Sequence, residues 1–151
     1  MTPFDLNIRH LRIFREVARR KSVSIAAEKE HLSQSAVTQA VAKLNRQLGT
    51  KLLERRSDGM SVTDVGQAFL SRVDRALLQL QTGAQEAVRL GHRRGNCGFP
   101  QFDRLLTTAQ LRALTATADA RNFSMAAREI GVSQPSLYRA ARATEQLSGL
   151  T

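Results

Sequence analysis

Apolar residues recur at three- and four-residue steps through most of this chain. Ile8, Leu11, Phe14, Val17 and Ala18 fall on one side of a helix over 8–20, with Arg9, Arg12, Arg15 and Arg19 on its other faces. Asn7 or Asp5 can cap its start. Ser24 suits the N-cap of a short second helix, Ile25–His31, where Ala26 and Ala27 permit close packing. Ser33 or Gln34 opens a third helix to Leu48, with Val37, Val41, Leu44 and Leu48 as its buried stripe. Ser35, Thr38, Gln39 and Lys43 lie opposite, and Gly49 stops the helix. Three helices with a tight break between the last two predict a helix-turn-helix.

The period then changes. Lys51–Arg56 and Met60–Val62 flank Ser57-Asp58-Gly59, which predicts a hairpin. A basic hairpin after a helix-turn-helix reads as a wing, with Arg55 and Arg56 near the DNA backbone or minor groove. Thr63 caps a long helix over 64–90 with a nearly continuous apolar side. Phe69, Val73, Ala76, Leu77, Leu80 and Ala84 on that side are too many for a small three-helix core to cover. A second copy of the helix is the simplest cover, which predicts a homodimer; packing within the same chain is the competing explanation. Residues 91–104 hold several glycines and a proline and read as a flexible linker.

The final section repeats the first at an offset of 100. Leu11/Leu111, Arg12/Arg112, Ala26/Ala126, Ala27/Ala127, Ser33/Ser133, Gln34/Gln134, Ala40/Ala140 and Gly49/Gly149 are identical pairs. Thr107 and Gln110 form a capping box for its first helix, and Pro135 fits the first turn of its last. The chemistry differs: Thr38, Gln39 and Lys43 correspond to Tyr138, Arg139 and Ala143, and Leu44 to Thr144, with Leu147 placed to replace Leu48. The predicted fold is therefore mostly α. It comprises a winged helix-turn-helix (1–63), a dimerisation linker helix (64–90), the flexible linker (91–104) and a second three-helix helix-turn-helix unit (105–151).

Charge narrows the function. The chain carries a formal net charge of +10, which favours a polyanionic partner, nucleic acid first. Residues 1–62 hold 12 Lys+Arg against 6 Asp+Glu, so most of the excess sits in the first unit. Cys97 is alone, with no disulfide or zinc partner. His10, His31 and His92 lie apart and lack paired carboxylates, so neither an enzyme nor a metal site is expected, and no cofactor. No membrane-spanning run or signal core is present, which predicts a cytoplasmic protein.

Ser33, Gln34 and Ser35 open a run, S-Q-S-A-V, at the start of the third helix. With L-x-x-F near the chain start, S-x-x-x-A-A before the turn, L-x-x-x-L-G, L-L-E-R and S-V-T-x-x-G, it resembles the DNA-binding region of LysR-type transcriptional regulators over residues 6–90. The second unit resembles that domain's helices alone. The resemblance implies a winged helix-turn-helix that dimerises through the linker helix and binds double-stranded DNA as a transcriptional regulator. The family's effector-sensing α/β domain has no counterpart in these residues, and no small-molecule site is expected among them. Gln34, Ser35, Thr38 and Gln39 are the base-edge candidates, and Ser24, Ser33, Lys43, Arg55 and Arg56 the phosphate candidates. Gln39 stands where the family often has arginine, and Asp58 would repel phosphate in the wing. Ser133, Gln134, Ser136, Tyr138 and Arg139 are the corresponding candidates of the second unit. A different reading makes the chain an adaptor whose second unit mediates protein–protein contacts.

Overall fold

The computed structural model describes residues 6–95, 97–120 and 122–150. The chain divides into two compact units, Met1–Leu78 and Gln79–Thr151, and the division falls within one long helix.

The first unit begins with α1 (Ile8–Arg20), α2 (Val23–Lys29) and α3 (Gln34–Leu48). Asn7 caps α1 by accepting the Arg9 N–H at 2.9 Å; Asp5, the other candidate cap, lies outside the described residues. α1 buries Ile13, Phe14, Val17 and Ala18 as its period requires, but it also buries Arg12 and Glu16, each 8% exposed. The arginines of α1 are thus not one solvated face. The start of α2 also differs from expectation. Its N-cap is Ser22, whose Oγ accepts the Ile25 N–H at 3.3 Å, and Ser24 lies in the first turn. Both serines have capping chemistry. Capping at Ser22 leaves Ala26 and Ala27 fully buried between α1 and α3. α3 runs as expected, from the Ser33 cap to Gly49 in the left-handed region.

The wing is a two-stranded antiparallel hairpin, β1 (Leu53–Arg56) and β2 (Gly59–Val62), paired from Leu53↔Val62 to Arg56↔Gly59. Two contacts hold it to the helices. The Leu52 N–H donates to Asn45 Oδ1 on α3 at 3.0 Å. The Met60 N–H donates to the Lys21 carbonyl, at the left-handed end of α1, at 2.9 Å. Gly59 is required here: its φ is +125°, and a Cβ would lie 2.5 Å from that same carbonyl oxygen.

α4 (Asp64–Arg93) follows. The Thr63 hydroxyl donates to the Lys51 carbonyl at 2.7 Å and accepts the Gly66 N–H at 3.0 Å, which ties the helix start to the base of the wing. In the first unit Leu70, Val73 and Leu77 join one core with Phe14, Val37, Leu44 and Leu52. Phe69 packs on Phe14 with ring centroids 5.5 Å apart. In the second unit Ala84 and Val88 are buried with Phe102 and Leu106, and Leu80 packs against them. Of the six residues expected to face a partner helix, Val73, Leu77 and Ala84 are at most 3% exposed within the chain, and only Ala76 is exposed. Packing within the chain, the competing explanation, accounts for the apolar side of α4. A hydrophobic stripe requires cover without specifying its source.

The second unit completes its helices with α5 (Thr108–Asp119), α6 (Phe123–Ile130) and α7 (Gln134–Ser148). The Thr107–Gln110 capping box is present, and Pro135 sits in the first turn of α7. Its core is small: Ala113, Ala116, Ala126, Ala127 and Leu137. Thr144 is buried at the position equivalent to Leu44, with its hydroxyl donating to the Ala140 carbonyl at 2.9 Å. Leu147 does not replace Leu48 in this core. It packs instead with the Ala84–Phe102 cluster. The expected linker is structured for the same reason. Phe102 and Leu106 are buried, Phe102–Arg104 forms a 3-10 turn, and the Phe99 N–H donates to the Leu147 carbonyl at 2.9 Å. Glycines interrupt the helical period there, but Phe102 and Leu106 beyond them still require cover.

Candidate nucleic-acid interface

The first turns of α3 point away from the core. Val37 and Ala40 face inward, whereas Gln34, Ser35, Thr38, Gln39 and Lys43 are exposed on one side of the helix. Gln34 and Thr38 line a groove of about 370 Å³ with Ser22, Val23 and Ser24 of the α2 start, Lys21, and Arg55, Asp58, Gly59 and Met60 of the wing. The groove therefore brings together three of the base-edge and phosphate candidates from α2 and α3 with Arg55 of the wing. Ser35, Gln39 and Lys43 lie on the same helix, outside it.

The hydrogen bonds divide these residues into two groups. Ser33 caps α3, its Oγ accepting the Ala36 N–H at 3.2 Å and lying 3.0 Å from the Ser35 hydroxyl. Its reach toward a ligand is limited accordingly. The Thr38 hydroxyl donates to the Gln34 carbonyl at 2.9 Å, so its proton is committed while its lone pairs and methyl group stay available. The two wing arginines differ. Arg56 Nη2 donates to Glu54 Oε1 at 2.6 Å, and this bond raises the arginine's pKa; Arg55 lines the groove.

Lys21 was missed in the sequence. It adds a cation to the groove wall, and its carbonyl anchors the wing. A signal was present: Lys21 follows the last periodic residue of α1, where a C-cap belongs. Behind the interface, His10 has a lowered pKa. Burial is the main cause, and the nearby Lys43 and Arg9 charges add to it.

The equivalent face of the second unit is filled. Ser133 caps α7 and accepts the Ser136 N–H at 3.3 Å. The Gln134 amide donates to the Ser124 hydroxyl. Arg139 Nη2 donates to Ser136 Oγ at 3.3 Å. Tyr138 packs on Phe123 with centroids 6.2 Å apart. Groove positions Val23, Ser24, Gln34 and Thr38 of the first unit correspond to Phe123, Ser124, Gln134 and Tyr138, which here contact one another. Among the described residues no group of three or more His, Cys, Asp or Glu side chains is arranged to hold a metal ion, and no helix is long and apolar enough to cross a membrane.

Comparison with known proteins agrees with this geometry. The family model described as "Bacterial regulatory helix-turn-helix protein, lysR family" matches residues 8–67 and again 108–151. The HTH-type transcriptional regulator PcaQ of Agrobacterium fabrum is 41% identical over 90 residues, covering 57% of this chain and 29% of the relative. The HTH-type transcriptional regulator GalR of Pseudomonas putida is 33% identical over 139 residues, covering 92% of this chain and 33% of the relative. The chain thus spans about a third of the length of these relatives. A crystal structure of a BenM_DBD/catB site 1 DNA complex matches with a TM-score of 0.53 at 29% identity, covering 55% of this chain and 93% of that one.

Proposed function

The chain belongs to the lysR family of bacterial regulatory helix-turn-helix proteins, and from that premise we propose that its first unit binds double-stranded DNA sequence-specifically, as a homodimeric transcriptional regulator in the cytoplasm. The observation that carries this reading is the open polar groove between the start of α3 and the wing, which exposes Gln34 and Thr38 beside Arg55 and Lys21. An α-helix with its side chains is about 10–12 Å across and the major groove is about 12 Å wide, so α3 fits there by its first turns. Gln34 and Gln39 have the paired donor and acceptor that adenine's major-groove edge matches. Thr38, its proton committed within the helix, offers acceptor lone pairs to a base amine and a methyl group to thymine. Lys43, Arg55 and Lys21 supply phosphate contacts, with Ser24 and Ser35 as neutral donors. Arg56 contributes less than Arg55 because Glu54 already neutralises part of its field.

Dimerisation falls to the side of α4 that the chain leaves uncovered. Ala76 is exposed there, as are Val65, Leu78 and Leu90, at 53%, 61% and 45%. A symmetric dimer would present two α3 helices to two half-sites about one helical turn apart.

Electrophoretic shift against selected and scrambled duplexes tests the reading. Replacing Gln34 and Thr38 with Ala is expected to equalise the two affinities while leaving salt-sensitive binding to both. A preserved preference would place the reading surface elsewhere.

A further inference from the structure

Resting on the DNA-binding reading above, we propose that Asn45 is a positioning residue of the interface. Its side chain fixes the wing against α3, so that Arg55 reaches a phosphate while Gln34 and Thr38 reach base edges. Asn45 lies in the last turn of α3 and does not itself line their groove. Its two oxygens have different partners. The main-chain carbonyl accepts the Gly49 N–H, and the Thr50 N–H at 3.1 Å, which ends the helix. The side-chain Oδ1 accepts the Leu52 N–H at 3.0 Å, just ahead of β1. The second unit separates these two roles. Glu145 occupies the equivalent position, and its carbonyl accepts the Gly149 N–H at 2.9 Å in the same way. Its carboxylate pairs instead with Arg142 of the same helix, at 3.1 Å. Such a helix therefore ends without help from this side chain, and what the Asn45 side chain adds is the hold on the wing.

Leu52 passes that hold to both strands. It is fully buried, and its carbonyl accepts the Thr63 N–H at 3.1 Å from the far end of the hairpin. The other anchor, the Met60 N–H on the Lys21 carbonyl, is main chain on both sides and does not depend on which side chain stands at either position. The Asn45 anchor does depend on one, because it needs a side-chain oxygen at that place. Asn45 and Met60, one from each anchor, line an apolar groove of about 170 Å³ with Val17, Val41 and Leu53. Apolar contact across such a groove is non-directional, so the hydrogen bonds set the wing's angle. A wing already held in place delivers Arg55 without an ordering cost on binding. Released, it loses the phosphate contact although Arg55 itself is unchanged.

The test is a double-mutant cycle on the full chain between Asn45→Ala and Arg55→Ala, read as the salt dependence of affinity for selected and scrambled duplexes. In the wild type, Arg55→Ala is expected to lower the log–log slope by about one unit, the value of one phosphate contact. Asn45→Ala is expected to lower it by the same amount while the preference for the selected duplex survives. Adding Arg55→Ala to Asn45→Ala should then change the slope by less than about a third of a unit. A mere loss of folded stability would leave the effect of Arg55→Ala intact in both backgrounds. Alanine is the better helix former, which favours retention of α3, and circular dichroism checks it. Asn45→Asp keeps an acceptor at the same place and is expected to restore the wild-type slope. Additive slopes, no effect of Arg55→Ala in the wild type, or an Asn45→Asp chain that behaves as Asn45→Ala each overturn the positioning role and leave the DNA reading standing. Loss of duplex preference in Asn45→Ala would move the action of Asn45 to α3 and overturn the hold on the wing. A wild type without salt-dependent affinity for either duplex overturns the DNA reading, and the positioning role with it.

Discussion

Two glycines of α4 should respond to the same substitution with opposite signs. Alanine is favoured over glycine within a helix by about 1 kcal/mol, so Gly→Ala normally stabilises. At Gly83 a Cβ would meet nothing within 4 Å, and Gly83→Ala should stabilise by roughly 0.5–1 kcal/mol. At Gly66 a Cβ would lie 2.0 Å from the Leu52 carbonyl oxygen and 2.9 Å from both Leu52 C and Val62 Cγ1. That is about 1.4 Å short of the 3.4 Å at which ordinary contact begins. The obstacle is backbone, and it cannot swing aside. Leu52 is held by Asn45, its carbonyl accepts the Thr63 N–H at 3.1 Å, and Thr63 in turn caps Gly66. Overpacking of this kind costs typically 1–3 kcal/mol, and the Leu52 backbone with the Val62 side chain beside it places this site at the upper end, so Gly66→Ala should destabilise by about 2 kcal/mol after the helix gain. With a urea slope of about 1–3 kcal/mol/M, the midpoint should fall by roughly 1 M. Helical circular dichroism follows the whole chain. Tyr138 emission follows the second unit alone, and it should not move for Gly66→Ala. A Gly66→Ala chain as stable as wild type, or a Gly83→Ala chain destabilised by more than 1 kcal/mol, would refute the argument that α4 is clamped against Leu52.

Two further outcomes follow from the site. Arg55→Ala should lower the dependence of DNA affinity on salt by about one unit of log–log slope, whereas Arg56→Ala should change it less because Glu54 goes free with it; titrations at several salt concentrations compare them. His10 has a pKa below its unfolded value of 6.5, so below that pH the unfolded chain binds the additional proton. Stability should be fully present above about pH 6.5 and should decline as pH falls through the folded pKa. His10→Gln should flatten that part of the urea-midpoint profile between pH 7.5 and 5.5, and an unchanged slope would remove His10 as its source.

Local patterns in the sequence determined the helices, the turn, the wing, the capping box at Thr107 and the duplication at an offset of 100. Each follows from spacing, from a glycine or capping residue, or from side-chain chemistry read over a few positions. The exposed polar set on α3 was legible for the same reason, since Val37, Ala40 and Leu44 can face the core only if Gln34, Thr38 and Gln39 face away. Tertiary structure decided what covers what. The apolar side of α4 is one stripe in sequence, yet Val73 and Leu77 complete the first core while Ala84 and Val88 pack with Phe102 and Leu106. Arg12 and Glu16 are buried because their neighbours close over them. Two equal sequence signals, Ser133-Gln134 and Ser33-Gln34, open onto a filled face and an open groove. The difference arises from Phe123 meeting Tyr138, a contact between residues fifteen positions apart that no helical or strand period encodes.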